Sequence, residues 1–221
     1  MLQLLSSPTR FFDNRQQEPP NWGLALAAPV ACAGLQGVAA LVLSAKVRPV
    51  MDGLLANQAS RPGPPPRLLM AFVTALGHPM FLGVLVLSML ALNVMVRRPG
   101  SPARLTEFTA LGFYTQVPVA LLLVAIAWLW QPEPAAFAAP ASTAELVLTI
   151  SHYRDALLSE PLPSTGRLLS LYSLIWLATT LTIALKVETR LSRGGTVLAA
   201  LALLTICAGG PLVGMLLELA R

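Results

Sequence analysis

Long apolar runs separated by short polar stretches dominate the chain. Five runs can be delimited, at residues 23–45, 68–96, 105–130, 168–187 and 195–217. Each has about the 20 residues that a helix needs to cross a bilayer. The pattern therefore predicts five transmembrane helices in a membrane domain over 23–221, preceded by an interfacial N-terminal segment over 1–22.

Prolines within these runs indicate bent helices. His78-Pro79 interrupts the second run, Pro118 the third, and Pro211, after two glycines, the fifth. A proline removes one helical hydrogen bond, and its ring crowds the preceding turn. We predict an all-α bundle of five spans with proline-kinked helices.

Two further segments have the pattern of helices that lie on a membrane surface. Residues 142–159 follow a capping box, place apolar side chains on one side and stop before Pro161. In the N-terminal segment, Ser7-Pro8 can begin a helix whose apolar residues enter the interface. Aromatic residues near span ends are candidate interfacial anchors. These are Phe11, Phe12, Trp22, Trp128 and Trp130.

Composition supports the membrane assignment, because 55% of the residues are hydrophobic and 11% are charged. Soluble domains carry about 25% charged residues. The net charge of +5 comes from Lys and Arg at the ends of spans, where anionic lipid and membrane topology favour them. No basic run is interleaved with aromatics, so the expected partners are lipids and a membrane protein or second copy, not nucleic acid. Cys32 and Cys207 lie in apolar runs and are expected to be inert thiols.

Charge also bears on orientation. Five spans place the termini on opposite sides, and no cleavable signal peptide is evident. Lys and Arg divide almost equally between the sides, but the short second and fourth loops are densely basic. Short loops carry most of the positive-inside signal, which favours a cytoplasmic N-terminus. The first loop, with four basic residues, argues for the reverse.

Polar residues inside the second, third and fourth runs form a candidate polar seam. Its members are His78, Glu107, Tyr114, Gln116, Pro118, Tyr172 and Trp176. Pro118 has no N–H, so the carbonyl of Tyr114 needs another partner inside the bundle. His78 is interpreted as a hydrogen-bonded residue that fills the gap at Pro79, with a proton-sensitive switch as the alternative.

The candidate chemistry does not favour an enzyme. No Asp, Glu, Lys or Arg lies at mid-bilayer, since Glu107 can reach the interface beside Arg104, and this disfavours a proton-coupled carrier. The sequence has no phosphate-binding loop and no nucleophile elbow. His152 and Asp155, three residues apart, are interpreted as solvated surface. We expect no catalytic, cofactor or metal site.

Several stretches resemble the Yip1 domain family. RRPGSPAR followed by TEFTALGFYTQVPVALL resembles its central segment, in which a tyrosine and a proline four residues apart recur. SSPTRFFDNRQQEPPNW resembles the N-terminal entry of bacterial members, and RLLSLYSLIWLATTLTIALKVETRLSRGGTVLAAL is similar to their last two spans. The proline-rich first loop and the long third loop depart from the pattern.

The resemblance implies a five-span fold with a cytoplasmic N-terminus, in the inner membrane of a bacterium. Eukaryotic members are associated with Rab GTPases and vesicle trafficking, but a chain without a long cytosolic N-terminal domain is not expected to have a Rab partner. Two functions stay open at this point. One is a non-enzymatic scaffold that binds membrane partners or lipids and shapes the bilayer, and the other is an ion or lipid conduit or scramblase along the polar seam.

Overall fold

The protein folds into eight α-helices and one 3₁₀ turn within the part of the chain that the structure, a computed structural model, describes. The described residues are 2–55, 67–95, 99–131 and 160–219, with scattered positions between 145 and 156. The helices are α1 (Leu2–Ser6), α2 (Pro8–Gln16), α3 (Trp22–Leu55), α4 (Arg67–Val94), α5 (Pro102–Gly112), α6 (Val117–Leu129), α7 (Pro161–Thr189) and α8 (Arg193–Leu219). The 3₁₀ turn, Phe113–Thr115, joins α5 to α6.

Five stretches of helix are long and apolar enough to cross a membrane, which confirms the predicted all-α, five-span fold. They are formed by α3, α4, the pair α5–α6, α7 and α8. The helix α7 begins at Pro161, ahead of the predicted start at residue 168. Prolines are tolerated in a first helical turn because its N–H groups have no helical acceptor.

Prolines act differently in different spans. Pro29 and Pro49 lie inside α3, Pro79 inside α4 and Pro211 inside α8, and these helices continue past them. The third span is divided, because α5 ends at Gly112 and Pro118 lies in the first turn of α6. The division places a 3₁₀ turn close to the middle of this span.

The third span and α7 form the centre of the bundle. Within each, 44% of the most apolar stretch is buried, compared with 11% in α4. Helix α3 packs against α4, α5 and α6, while α7 packs against α2, α5, α6 and α8. The central helices meet closely at Gly112, where a Cβ atom would lie 3.0 Å from Leu181 Cδ2 and 3.2 Å from Leu177 Cδ1.

The N-terminal helices pack into the bundle. Leu4 and Phe12 are fully buried, and the ring of Phe12 lies 4.7 Å from that of Phe108, centroid to centroid. The prediction that Phe12 is an interfacial anchor is therefore wrong. An apolar stripe suits a protein surface as well as a lipid surface, so its pattern alone does not distinguish the two.

The predicted surface helix at 142–159 lies largely outside the described residues. Within it, Glu145, Leu148, Thr149, Ala156 and 151–153 are helical. His152 is exposed, while Asp155 is outside the described part of the chain. The proline-rich portion of the first loop, 61–66, is outside it as well.

Candidate functional site

Glu107 is the centre of a buried ionic cluster at one end of the bundle. Its Oε1 accepts hydrogen bonds from Arg15 Nη2 (2.7 Å), from Arg15 Nε (3.0 Å) and from the backbone N–H of Asn21 (2.9 Å). Its Oε2 accepts one from Arg104 Nη1 (2.7 Å). Glu107 is completely buried, so these donors replace the water that a carboxylate would otherwise bind.

Arg15 is the partner that sequence reasoning did not identify. Burial by itself lowers the pKa of Arg15, but hydrogen bonds and charge from Glu107 and Glu18 outweigh it and raise that pKa. The guanidinium also donates to Glu18 and, at 2.7 Å, to the carbonyl of Pro19. Because 92 residues separate Arg15 from Glu107, only the entry of α2 into the bundle brings them together.

More polar contacts surround this cluster. Glu188 near the end of α7 accepts hydrogen bonds from the backbone N–H of Ser101 (2.8 Å) and from Gln16 Nε2 (3.0 Å). Asn93 both donates to the carbonyl of Gly100 (3.1 Å) and accepts from its N–H (2.7 Å). We call the whole group the polar plate. It consists of Arg15, Gln16, Asn21, Asn93, Gly100, Ser101, Arg104, Glu107 and Glu188.

The polar plate marks the N-terminal face of the bundle, where α3, α5 and α8 begin and α4 and α7 end. It joins the ends of α2, α4, α5 and α7 through an ion pair and hydrogen bonds, some between side chains and some between a side chain and the backbone. The end where α3 and α6 finish and α7 begins is called the opposite face.

Tyr114 and Gln116, from the stretch that carries the family resemblance, tie neighbouring helices together. The hydroxyl of Tyr114 donates to the carbonyl of Leu24 in α3 at 2.9 Å. Gln116 Nε2 donates to the carbonyl of Ser173 (2.6 Å), and the Ser173 hydroxyl donates to Gln116 Oε1 (2.9 Å). Pro118 is exposed and lies in the first turn of α6, where a missing N–H leaves no helical bond unmade.

The seven candidate residues do not form one seam. Glu107 belongs to the polar plate, while Tyr172 and Trp176 pair edge to face, with ring centroids 5.7 Å apart. Tyr172 is 57% exposed, so this pair is at the outside of α7. Because α5 ends at Gly112 and α6 begins at Val117, Glu107 and Pro118 do not lie on one continuous helix. His78 and Gln116 remain together, in a cavity.

That cavity, the midplane chamber, has a volume of about 410 Å³. It is lined by residues of α3, α4, the third span, α7 and α8, among them Gln36, His78, Phe113, Gln116, Ser173 and Cys207. Gln36 and Gln116 lie near the middle of their spans. His78 Nδ1 is buried, and the backbone of Thr74, one turn earlier in α4, interacts with the His78 imidazole. Both interpretations of His78, the hydrogen-bonded residue and the proton-sensitive switch, therefore stay predictions.

A second cavity, the outer chamber, adjoins the first and extends towards the opposite face. Its volume is about 710 Å³, and it shares Gln36, Thr74, Leu123, Ser170 and Leu174 with the midplane chamber. Apolar side chains dominate its wall, and it reaches α8. Representative lining residues are Leu43, Val47, Ile126, Leu171, Gly214 and Met215.

Trp130 closes part of the outer chamber. It is 4% exposed, and its indole N–H donates to Glu160 Oε2 at 2.5 Å. The Lys46 ammonium donates to the carbonyls of Trp128 (2.6 Å) and Trp130. Trp130 thus forms part of the chamber wall. Its prediction as an interfacial anchor is wrong, because its side chain is almost completely buried and its indole N–H has a partner inside the protein.

The other anchors differ in exposure. Trp22 is 43% exposed and Trp128 is 71% exposed, and both remain predicted anchors. Phe11 is partly buried, with its ring 5.3 Å from that of Phe12.

Comparison with protein families gives a match. The family model of the Yip1 domain matches residues 2–214, which is nearly the whole chain. Comparisons with curated proteins and with solved structures found no match. The matched region includes the N-terminal helices, the polar plate, the midplane chamber and all of the outer chamber's lining residues except Met215. The five apolar helices and this match show that the chain is an integral multi-pass membrane protein that belongs to the Yip1 domain family.

Proposed function

We propose that the protein is a non-enzymatic membrane scaffold that holds a lipid chain inside its bundle and organises lipids and partner proteins around it. The observation that carries this proposal is the outer chamber. Its volume of about 710 Å³ lies within the ~300–1,000 Å³ typical of ligand pockets. Within a bilayer, acyl chains are the apolar molecules that reach such a chamber.

The wall of the outer chamber suits an acyl chain better than a polar substrate. Leu43, Ile126, Leu171 and Met215 present hydrocarbon and a thioether to the space. An unfilled apolar cavity forgoes the dispersion contacts that its lining atoms could make. An acyl chain restores these contacts and has no polar group of its own to desolvate, whereas a polar substrate would lose its hydrogen bonds to water.

Two glycines on α8 provide a matched test. A Cβ atom at Gly214 or at Gly210 meets nothing within 4 Å, but only Gly214 lines the outer chamber. We expect Gly214→Leu to project a side chain into the chamber, to obstruct the acyl chain and to reduce the lipid that copurifies with the protein several-fold, as counted by native mass spectrometry. Gly210→Leu should retain as much lipid as the unchanged protein. Equal retention by the two variants would count against the proposal.

The midplane chamber supports a second candidate function, a conduit for ions or lipid headgroups. Gln36, His78 and Gln116 place hydrogen-bonding groups in a cavity near the middle of the spans. Polar groups at this depth are commonly part of a transport pathway. Proteoliposomes should then show ion flux or lipid exchange that Gly77→Leu, in the chamber wall, abolishes and Gly83→Leu preserves. Background flux for the unchanged protein at all pH values and lipid compositions would reject the conduit.

We also propose that the N-terminal face is cytoplasmic and that the membrane is the inner membrane of a bacterium. Arg104, Arg190 and Arg193 lie at the ends of helices on this face, consistent with the positive-inside rule. With both native cysteines replaced by alanine, a cysteine at position 193 should react with an impermeant reagent only after the cells are disrupted. Labelling of intact cells would reverse the orientation.

A further inference from the structure

Gln36 lines both chambers and has no partner in the described part of the protein. It lies near the middle of the first span, where the midplane chamber meets the outer chamber. Its carboxamide forms no hydrogen bond with a residue in the described ranges. An amide in apolar surroundings is unfavourable without hydrogen bonds, so we expect a bound molecule to supply them.

The other amide and hydroxyl side chains of the midplane chamber differ from Gln36, because they have partners inside the protein. Gln116 and Ser173 bond to each other, and Ser170 Oγ donates to the carbonyl of Gly166 at 2.8 Å. Thr74 has a partner as well. Gln36 is therefore the amide of this chamber that is available to a ligand.

The charge of the midplane chamber restricts the ligand. Its described lining residues include no Asp, Glu, Lys or Arg. A phosphate buried here would lose its hydration without a cation to replace it. A phospholipid can therefore bring only its hydrocarbon chain to Gln36, and that chain cannot bond to the amide. The polar head that fits at Gln36 carries no charge.

The amide of Gln36 also defines the hydrogen-bonding groups of this head. Oε1 is an acceptor and Nε2 has two donor hydrogens, so a matching head has both a donor and an acceptor. Diacylglycerol has this pair in its free hydroxyl and its ester carbonyls, and it is uncharged. Its acyl chains suit the apolar wall of the outer chamber, which shares Gln36 with the midplane chamber.

We propose that the two chambers together bind diacylglycerol, with its hydroxyl and an ester carbonyl bonded to Gln36. One acyl chain extends through the outer chamber towards the opposite face. This inference rests on the proposed lipid-holding function and adds the class of head and the residue that recognises it. The head lies near the midplane, whereas the head of a phospholipid lies at the membrane face.

The test is a competition between diacylglycerol and phosphatidylcholine that have the same acyl chains. The full chain is equilibrated with mixed micelles that contain the two lipids in equal amounts, and the retained lipid is identified by native mass spectrometry. We expect a preference of about eightfold for diacylglycerol, because each of two hydrogen bonds within a membrane provides about threefold. Gln36→Leu should reduce the ratio to about one. Gln17→Leu, the same change at an exposed residue of the N-terminal face, should leave it unchanged.

A second competition tests the hydroxyl of the lipid. The methyl ether of diacylglycerol has the same chains and ester carbonyls but no hydroxyl donor. The unchanged protein should prefer diacylglycerol to this ether by about threefold, the contribution of one hydrogen bond, and Gln36→Leu should retain the two equally. Thermal unfolding of Gln36→Leu in detergent shows whether the variant is folded, and we expect no loss of stability because the change removes an unbonded amide from a span.

The outcomes separate this inference from the proposed function. If the unchanged protein retains diacylglycerol and phosphatidylcholine equally but Gly214→Leu still loses its lipid, the uncharged head is overturned and the lipid-holding function remains. If Gly214→Leu retains lipid like Gly210→Leu, the lipid-holding function itself fails. An undiminished preference for diacylglycerol in Gln36→Leu would place recognition of the head elsewhere, and would also overturn the inference.

Discussion

The two halves of the bundle share α3, α4, α7 and α8 but differ in how their helices are packed. At the N-terminal face, Glu107 is completely buried and has donors from three residues, and Gly112 allows α5 to lie against α7. Towards the opposite face, the helices leave about 710 Å³ of space, and Gly214 borders it without a close neighbour. The half at the N-terminal face is held by hydrogen bonds, ion pairs and close packing, while the half at the opposite face borders an apolar cavity.

Under the proposed function, this difference lets the protein bind a lipid without losing its fold. The polar plate holds the ends of α2, α4, α5 and α7 together, so the opposite half does not need to be packed densely for the bundle to persist. A lipid can therefore occupy the outer chamber without disturbing the ionic cluster.

Removal of Arg15 should have the largest effect on stability. Arg15→Met leaves Glu107 buried with one of its two cationic partners. Because breaking a buried ion pair leaves charge uncompensated, we expect a loss of about 3 kcal/mol in the free energy of unfolding. The measurement is thermal or denaturant unfolding in detergent.

Arg10→Met is the matched control for this change. Arg10 lies in the same helix and is exposed, so its replacement should alter stability by no more than about 0.5 kcal/mol. Similar losses for the two variants would show that the polar plate does not hold the bundle together.

Alanine at two glycines should change stability in opposite directions. At Gly112 the added methyl meets Leu181 at 3.0 Å, and overpacking of this kind costs about 1–3 kcal/mol. At Gly83 nothing lies within 4 Å of a Cβ, so alanine should stabilise its helix by about 0.5–1 kcal/mol. A shift of the same sign at both positions would contradict the contrast between crowded and open regions.

The hydrogen bonds between Gln116 and Ser173 should contribute less to stability than the Arg15 ion pair or the packing at Gly112. Hydrogen bonds between membrane helices contribute about 0.6 kcal/mol on average, so we expect Gln116→Leu to lose about 1 kcal/mol through its two bonds with Ser173. A double-mutant cycle with Ser173→Ala isolates the part that passes through the serine hydroxyl. Strict additivity of the two changes would mean that this bond contributes nothing.

The number and type of the helices follow from the sequence because apolar length and proline position are local properties. The break at Pro118 is also local, since GFYTQVPV contains both the proline and the polar residues around it. Contacts between distant segments are different. Glu107 was expected to pair with Arg104, three residues away, but the first 22 residues contain two arginines and no periodic pattern specifies which one meets it.

The chambers could not be predicted for the same reason. Gln36 is a single polar residue in an apolar helix, and its position opposite His78 and Gln116 depends on how α3 and α4 are rotated. In the sequence, Trp130 has the position of an interfacial aromatic residue. In the structure, its indole N–H donates to Glu160, which is 30 residues later. Because the two residues are 30 positions apart, no local pattern identifies Trp130 as part of the chamber wall.

The central claim, that a lipid chain occupies the outer chamber, is tested most directly by fluorescence quenching at Trp130. A variant that retains Trp130 alone, with Trp22, Trp128 and Trp176 replaced by phenylalanine, is reconstituted in lipids brominated on the acyl chain. Because Trp130 is only 4% exposed, efficient quenching of its fluorescence requires an acyl chain inside the chamber. Adding Gly214→Leu should therefore abolish the quenching. A variant that retains Trp128 alone, 71% exposed, should be quenched in either background. Absence of quenching at Trp130, with quenching at Trp128 intact, would contradict the account.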